Sequence, residues 1–241
     1  MATFFNPEES PSMKKRNAIA GWSAAASLVL AASVTAYAQT SKERKMPASA
    51  AQTQKTPPSF NSLTPEGYKQ VSTRDVTVDG ERATLTRFER QDGRNAGLGG
   101  EHYSLVVNGA GLLKGFAHMD LAYESDKLPS RERTQEIAMN FLKEFAPDLL
   151  PRMAISWIEP HGEPVRVARQ DRPEVITVTG MKVKMRNTED GRWFWVIVGA
   201  NERVMVFERD IVWINMPGHR QTEKWLHDNW LAAQDSKKSA R

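Results

Sequence analysis

The sequence predicts an α+β fold: antiparallel sheet packed against two main helices, β-rich overall, with room for two fused units divided near residue 128. Three observations lead there. Apolar and polar residues alternate with period two over residues 103–121 and 181–186, and turn residues such as Asp79-Gly80 separate runs of β-formers. Two stretches instead repeat their apolar residues with the helical period. The order along the chain is strands, helix, strands, helix, which suits sheet and helices layered in one α+β domain.

The first 59 residues stand apart from that pattern. Met13-Lys14-Lys15-Arg16 precedes an uncharged, alanine-rich run centred on Leu28-Val29-Leu30, and Ala36 and Ala38 are the small residues three and one before a cut. These are the parts of an export signal. They predict a signal peptide over residues 1–38, with Met13 as the alternative start, and a mature chain beginning at Gln39. Residues 17–38 are also uncharged over about the length that spans a bilayer, so without cleavage they form a single N-terminal anchor. Cleavage implies a periplasmic or secreted protein; retention implies one anchored in the inner membrane. Residues 39–59 are Ser, Thr, Lys, Gln and Pro with little to bury and predict a disordered spacer, and residues 236–241 predict a disordered basic tail.

From residue 60 to 235 the elements follow in turn. Asp79-Gly80 between Val76-Thr77-Val78 and residues 83–88 predicts a hairpin. A second hairpin joins residues 103–107 to 112–121 through Asn108-Gly109-Ala110-Gly111, with apolar side chains at the odd positions. Pro129-Ser130 supplies a stop and a capping hydroxyl before a helix whose stripe is Ile137, Phe141 and Phe145, and Pro147 ends it. Strands return at 154–158, 175–186, 192–198 and 204–214. Residues 193–198 are apolar at successive positions and predict an interior strand covered on both faces. Trp225, Leu226, Trp230 and Ala233 mark a last amphipathic helix over 221–234.

Composition narrows the function classes. The 241 residues include no cysteine, so the fold uses no disulfide and no lipidated-cysteine anchor. Removing Lys14, Lys15, Arg16, Glu8 and Glu9 with the leader leaves 30 basic and 27 acidic side chains, a net charge of +3. That excess does not imply a nucleic-acid partner but admits an acidic protein or an anionic surface.

Residues 128–138, then Phe141-Leu142-Lys143-Glu144-Phe145, resemble the helix that opens a PepSY-type repeat, as in YpeB-type exported proteins. Residues 193–213 resemble its closing strands, with Gly199-Ala200-Asn201-Glu202-Arg203-Val204 as the turn and strand start, and Lys114-Gly115-Phe116 is similar to the end of a preceding repeat. The resemblance covers about half of the mature chain. It implies an exported, non-catalytic module of helix-on-sheet type, in a class that restrains peptidases or acts at the cell envelope. The chain departs from that class in carrying no peptidase signature and no set of transmembrane helices.

Some residues could carry chemistry. If Asn108 faces Leu112, His102 lies opposite His118, with Asp120 on the same face, a set able to ligate zinc, nickel or copper. One residue of register change would separate them. Lys182, Lys184 and Arg186 alternate with apolar residues, so three cations share one strand face and could meet an acidic partner, phospholipid head groups or a polyanion. Trp193, Trp195, Trp213, Trp225 and Trp230 serve either as core or, where exposed, as a platform for a ligand. Gly97-Leu98-Gly99-Gly100 lacks the helix and the Lys-Ser/Thr pair of a phosphate cradle and reads as a loop. There is no Gly-x-Ser-x-Gly elbow and no His-Glu-x-x-His helix; His219 follows Pro217-Gly218 and His227 lies with Asp228 on the final helix, and both histidines read as capping or surface residues.

Two function classes follow. One is an exported bacterial envelope protein acting as a non-catalytic binding or regulatory module for a protein or peptide, without cofactor, and binding through Lys182, Lys184, Arg186, Trp193 and Trp195. The other is a metal-binding protein or metalloenzyme using His102, His118 and Asp120 with a transition metal such as zinc. For the export reading, N-terminal sequencing of the mature protein is expected to begin at Gln39; full-length chain retaining Trp22 in a membrane fraction would make residues 17–38 an anchor.

Overall fold

The structure, a computed structural model, describes residues 60–239 except Asp126, Gln170, Asp171 and Pro217. The expected leader, its cleavage residues Ala36, Ala38 and Gln39, and the spacer lie outside the described residues. Among the described residues no helix is long and apolar enough to cross a membrane.

Strands β1 (Tyr68–Val78), β2 (Glu81–Arg90), β3 (His102–Asn108) and β4 (Leu113–Met119) form one antiparallel meander. Helix α1 (Arg131–Phe145) follows. A second meander comprises β5 (Met153–Arg169), β6 (Arg172–Asn187), β7 (Trp193–Gly199) and β8 (Val204–Ile211), and the short pair β9 (Trp213–Ile214) and β10 (His219–Arg220) precedes helix α2 (Asp228–Ser239). The two meanders join edge to edge through β4 and β8, giving one eight-stranded sheet in the order β1-β2-β3-β4-β8-β7-β6-β5.

This overturns the expected class of sheet packed on two main helices. The chain is mainly β, and its helical segments are short. Residues 159–174, rich in turn formers, were expected to connect two strands; instead they pair with each other, so β5 and β6 run to 17 and 16 residues. Residues 221–227 are not helical: Trp225 donates its indole N–H to the Thr77 carbonyl at 2.8 Å and the Arg220 guanidinium donates to Glu208 at 2.6 Å, anchors that outweigh local helix preference. The helix α2 starts at Asp228 and reaches into the stretch expected to be a basic tail.

Local chemistry explains the elements that match. Asp79 and Gly80 both take positive φ, as a two-residue hairpin turn with the right-handed strand twist requires. Ser130 Oγ accepts from the Arg133 N–H and starts α1.

Each face of the sheet has its own cover. On the first, α1 and the turn 147–152 lie over Met181, Val183, Met185, Phe194, Val196 and Phe207. Phe116 and Phe207 are cross-strand partners at the β4–β8 seam, and Phe141 of α1 meets both, with ring centroids at 5.7 and 5.1 Å. The second face is the inside of a curl. In a flat sheet β2 and β5 would stand about 29 Å apart at the usual strand spacing. Yet the Arg166 N–H donates to the Gly99 carbonyl in the β2–β3 loop at 2.6 Å, and Arg192 pairs with Asp79 at 2.9 Å across the other end. Residues 220–235 run as a strap through this curl, burying Leu226 and Leu231 among Val76, Leu85, Val106, Val165, Val178 and Ile197.

The seam leaves no room beneath it. A Cβ on Gly115 would lie 2.5 Å from the Phe207 carbonyl and 2.9 Å from the Leu226 side chain. Gly115→Ala is therefore expected to destabilise the fold by about 1–3 kcal/mol, read as a lower urea midpoint. An unchanged midpoint would mean that the strap does not press on the seam.

Candidate functional site

The five residues expected to bind do converge. Lys182, Lys184 and Arg186 of β6 project to the curled face because their neighbours Met181, Val183 and Met185 fill the core under α1. Across the strands, Lys184 pairs with Trp195 and with Trp157 of β5, and Arg186 pairs with Trp193. The result interleaves cations with indoles. Lys182 Nζ lies 4.1 Å from the Trp195 ring centre and Lys184 Nζ 4.2 Å from that of Trp193; Trp157 stands 5.4 Å from Lys184, and Arg186 5.6 Å from Trp193. Trp157, which the sequence reading passed over, completes the ladder. Its signal was its period-two placement in residues 153–157, obscured by the irregularity between Ile155 and Trp157.

Electrostatically the ladder is lopsided. Among the described residues no carboxylate lies within ion-pair distance of Lys182, Lys184 or Arg186. Burial pushes the Lys182 ammonium down to about 8, against the weaker opposing pull of Glu208 and Glu163. Trp157, Trp193 and Lys184 remain half-exposed and Arg186 is exposed, so this end of the ladder is open to solvent.

The expected metal set does not assemble. Asn108 N–H donates to the Leu112 carbonyl, as the hairpin required, but Lys114 is an extra residue in β4: Val107 faces Leu113 while Val106 faces Gly115. The shift carries His102 opposite Met119 and His118 opposite Tyr103, on opposite faces. The bulged Lys114 turns its amino group to Asp210 at 2.6 Å and Glu81 at 3.2 Å. Among the described residues no group of three His, Cys, Asp or Glu is placed to hold a metal.

The separated halves have different surroundings. Tyr68, Tyr103 and Tyr123 meet the His118 ring edge-on, its Nδ1 shares a 3.0 Å hydrogen bond with the Tyr123 hydroxyl, and its Nε2 lies 3.7 Å from Asp120. This row faces a cleft of about 920 Å³ under α1. Tyr68 donates to Asp120 at 2.6 Å, and although burial opposes it, these partners hold the Asp120 carboxyl below the ordinary range. Burial raises the Tyr123 hydroxyl, so it keeps its proton and makes a poor nucleophile.

His102 lies on the curled face. Its Nδ1 donates to the Gly100 carbonyl at 2.9 Å and sits 3.5 Å from Asp228, and burial pulls the imidazole down to about 4. His227, expected in a capping or surface role, is instead an anchor of the strap, as is Asp228 beside it. Asp228 accepts both Arg87 amino groups and the Gly99 amide, so the glycine loop spends that amide on an internal carboxylate. Glu208, 3 % exposed, accepts from Arg220 at 2.6 Å and from His227 Nε2 at 3.1 Å. Burial acts to lower His227, but Glu208 outweighs it and holds the imidazolium above its ordinary value.

A raised histidine stabilises the fold fully below its unfolded value of about 6.5 and loses that contribution as pH rises through the folded value. The stability gap between wild type and His227→Gln, measured as urea midpoints, is thus expected to be wide near pH 6 and narrow near pH 9. A gap that does not change with pH would remove the charge from this contact.

Comparison of the chain with protein-family models, with curated proteins and with solved structures finds no match to any of them.

Proposed function

We propose that the protein is an exported, non-catalytic binding module that holds an acidic segment of an envelope protein or peptide on the tryptophan–lysine ladder of β5, β6 and β7. The observation that carries this reading is Lys182: an ammonium largely withdrawn from water, against indole, with no carboxylate in contact. Such a group weakens the fold. Local violations of this kind are characteristic of binding sites, where stability is traded for function. Carboxylates of a partner supply the missing counter-charge, while its apolar or aromatic side chains lie on Trp157 and Trp193. The resemblance of α1 to the PepSY-type helix supports a binding role by analogy alone.

The partner approaches the face and not the edge. Arg166 and Ala168 of β5 send their N–H groups outward to the β2–β3 loop, and the outward positions of the same parity include Pro164 and Pro160, which have no N–H to give. An added strand has no donor ladder there.

Binding of a fluorescein-labelled hexaglutamate peptide, followed by polarisation, tests the proposal. Wild type is expected to bind it in preference to hexaglutamine, with affinity falling as salt rises, and Lys184→Glu combined with Arg186→Glu is expected to weaken it about tenfold or more. Lys182→Met is expected to stabilise the fold by about 1–3 kcal/mol while weakening the same binding. Equal affinity for the two peptides, or a sulfated polysaccharide bound where hexaglutamate is not, would sink the acidic-segment reading.

A further inference from the structure

We propose that His102 and Met119 form a site for a soft monovalent metal ion of the copper(I) class, in the cavity between the strap and the curled sheet. This is independent of the acidic-segment reading, and it uses neither His118 nor Asp120. His102 and Met119 are cross-strand partners, so their Cβ atoms stand about 4.5–5.5 Å apart on one face. Both line a cavity of about 280 Å³ that Leu98, Pro164, Val175 and Leu226 help to enclose. Val175 is 67 % exposed at its rim, which gives an ion a way in.

The imidazole is set up as a ligand. His102 is 3 % exposed, its Nδ1–H is fixed on the Gly100 carbonyl beside Asp228, and its Nε2 is buried with no hydrogen-bond partner. Ligating histidines are held in this way, one nitrogen oriented by a carbonyl or carboxylate and the other presenting its lone pair. A buried polar atom left bare is unfavourable, and an ion bound to it would relieve that cost.

The donor set decides which ion. Of the other donors in the lining, Asp228 is held by Arg87 and Gly99, His227 by Glu208 and one oxygen of Glu163 by His161 at 3.0 Å, which leaves the second Glu163 oxygen and Asn229. These fall short of the six or more oxygens a hard dication takes, Arg166 in the same lining disfavours a second positive charge, and among the described residues zinc's usual set of His, Cys, Asp or Glu ligands is not brought together. One thioether beside one imidazole suits copper(I), which favours soft ligands and accepts low coordination numbers.

The test is competition of the purified full chain against bicinchoninate for copper(I) under anaerobic conditions, with silver(I) as the air-stable analogue. One equivalent is expected to bind. His102→Gln and Met119→Leu should each weaken it about tenfold or more, whereas Met216→Leu, which removes a methionine that is 90 % exposed, should not. In wild type carrying ¹³C-labelled methionine methyls, the Met119 resonance should shift with the first equivalent of silver(I), a readout that needs no variant to fold. No Met119 shift, uptake that follows Met216 and not Met119, or zinc(II) bound as tightly as copper(I) would overturn the proposal.

Discussion

One carboxylate ties together parts of the chain that would otherwise lie far apart. Asp228 opens α2, accepts the Arg87 guanidinium from β2 at 2.8 and 3.1 Å, takes the Gly99 amide, and stands beside His102. The same Gly99 gives its carbonyl to β5. The strap, the β2–β3 loop and the far end of the second meander are thus positioned around one buried charge. Arg87 keeps Glu89 at 2.9 Å as a second partner, but Asp228 without Arg87 would be a buried charge short of its main counter-ion, at a cost of several kcal/mol, so the pair fastens the strap within the curl.

The two faces are covered by different physics. Under α1 the contacts are apolar, with Phe141 seated on the Phe116–Phe207 seam, and they join the meanders without directional demands. The strap inside the curl is fastened by directional bonds: Asp228 to Arg87, Glu208 to Arg220 and His227, Trp225 to Thr77, and Arg74 to Asp235 at 2.8 Å. Apolar burial sets where the strap lies, and these paired charges fix its register along the groove.

Function is read from what this arrangement leaves unpaired. Arg87, Lys114, Arg209 and Arg220 are buried cations, and each has an acid in contact. Lys182 is largely buried without one, Lys184 and Arg186 share the lack, and all three stack on indoles. Among the described residues the four buried cations named first are paired, and that contrast is the observation on which the proposed binding face rests. The bare Nε2 of His102 is the corresponding exception among the imidazoles on the curled face.

The sequence by itself determined what depends on neighbours along the chain. The Asp79-Gly80 hairpin, the Ser130 cap of α1, the interior strand β7 and the cation stripe of β6 follow from turn chemistry, capping and period-two alternation, all acting over a few residues. Tertiary structure alone decided the rest. A single extra residue at Lys114, bulged to reach Asp210 and Glu81, moved His102 and His118 to opposite faces; the acids that favour the bulge lie in β2 and β8, where no local pattern could reveal them. The length of β5 and β6, the unwound start of the last helix and the joining of two meanders into one curled sheet were settled in the same way, because hydrogen-bond partners and ion pairs distant in sequence outweigh the weak local preferences of turn-forming and helix-forming residues.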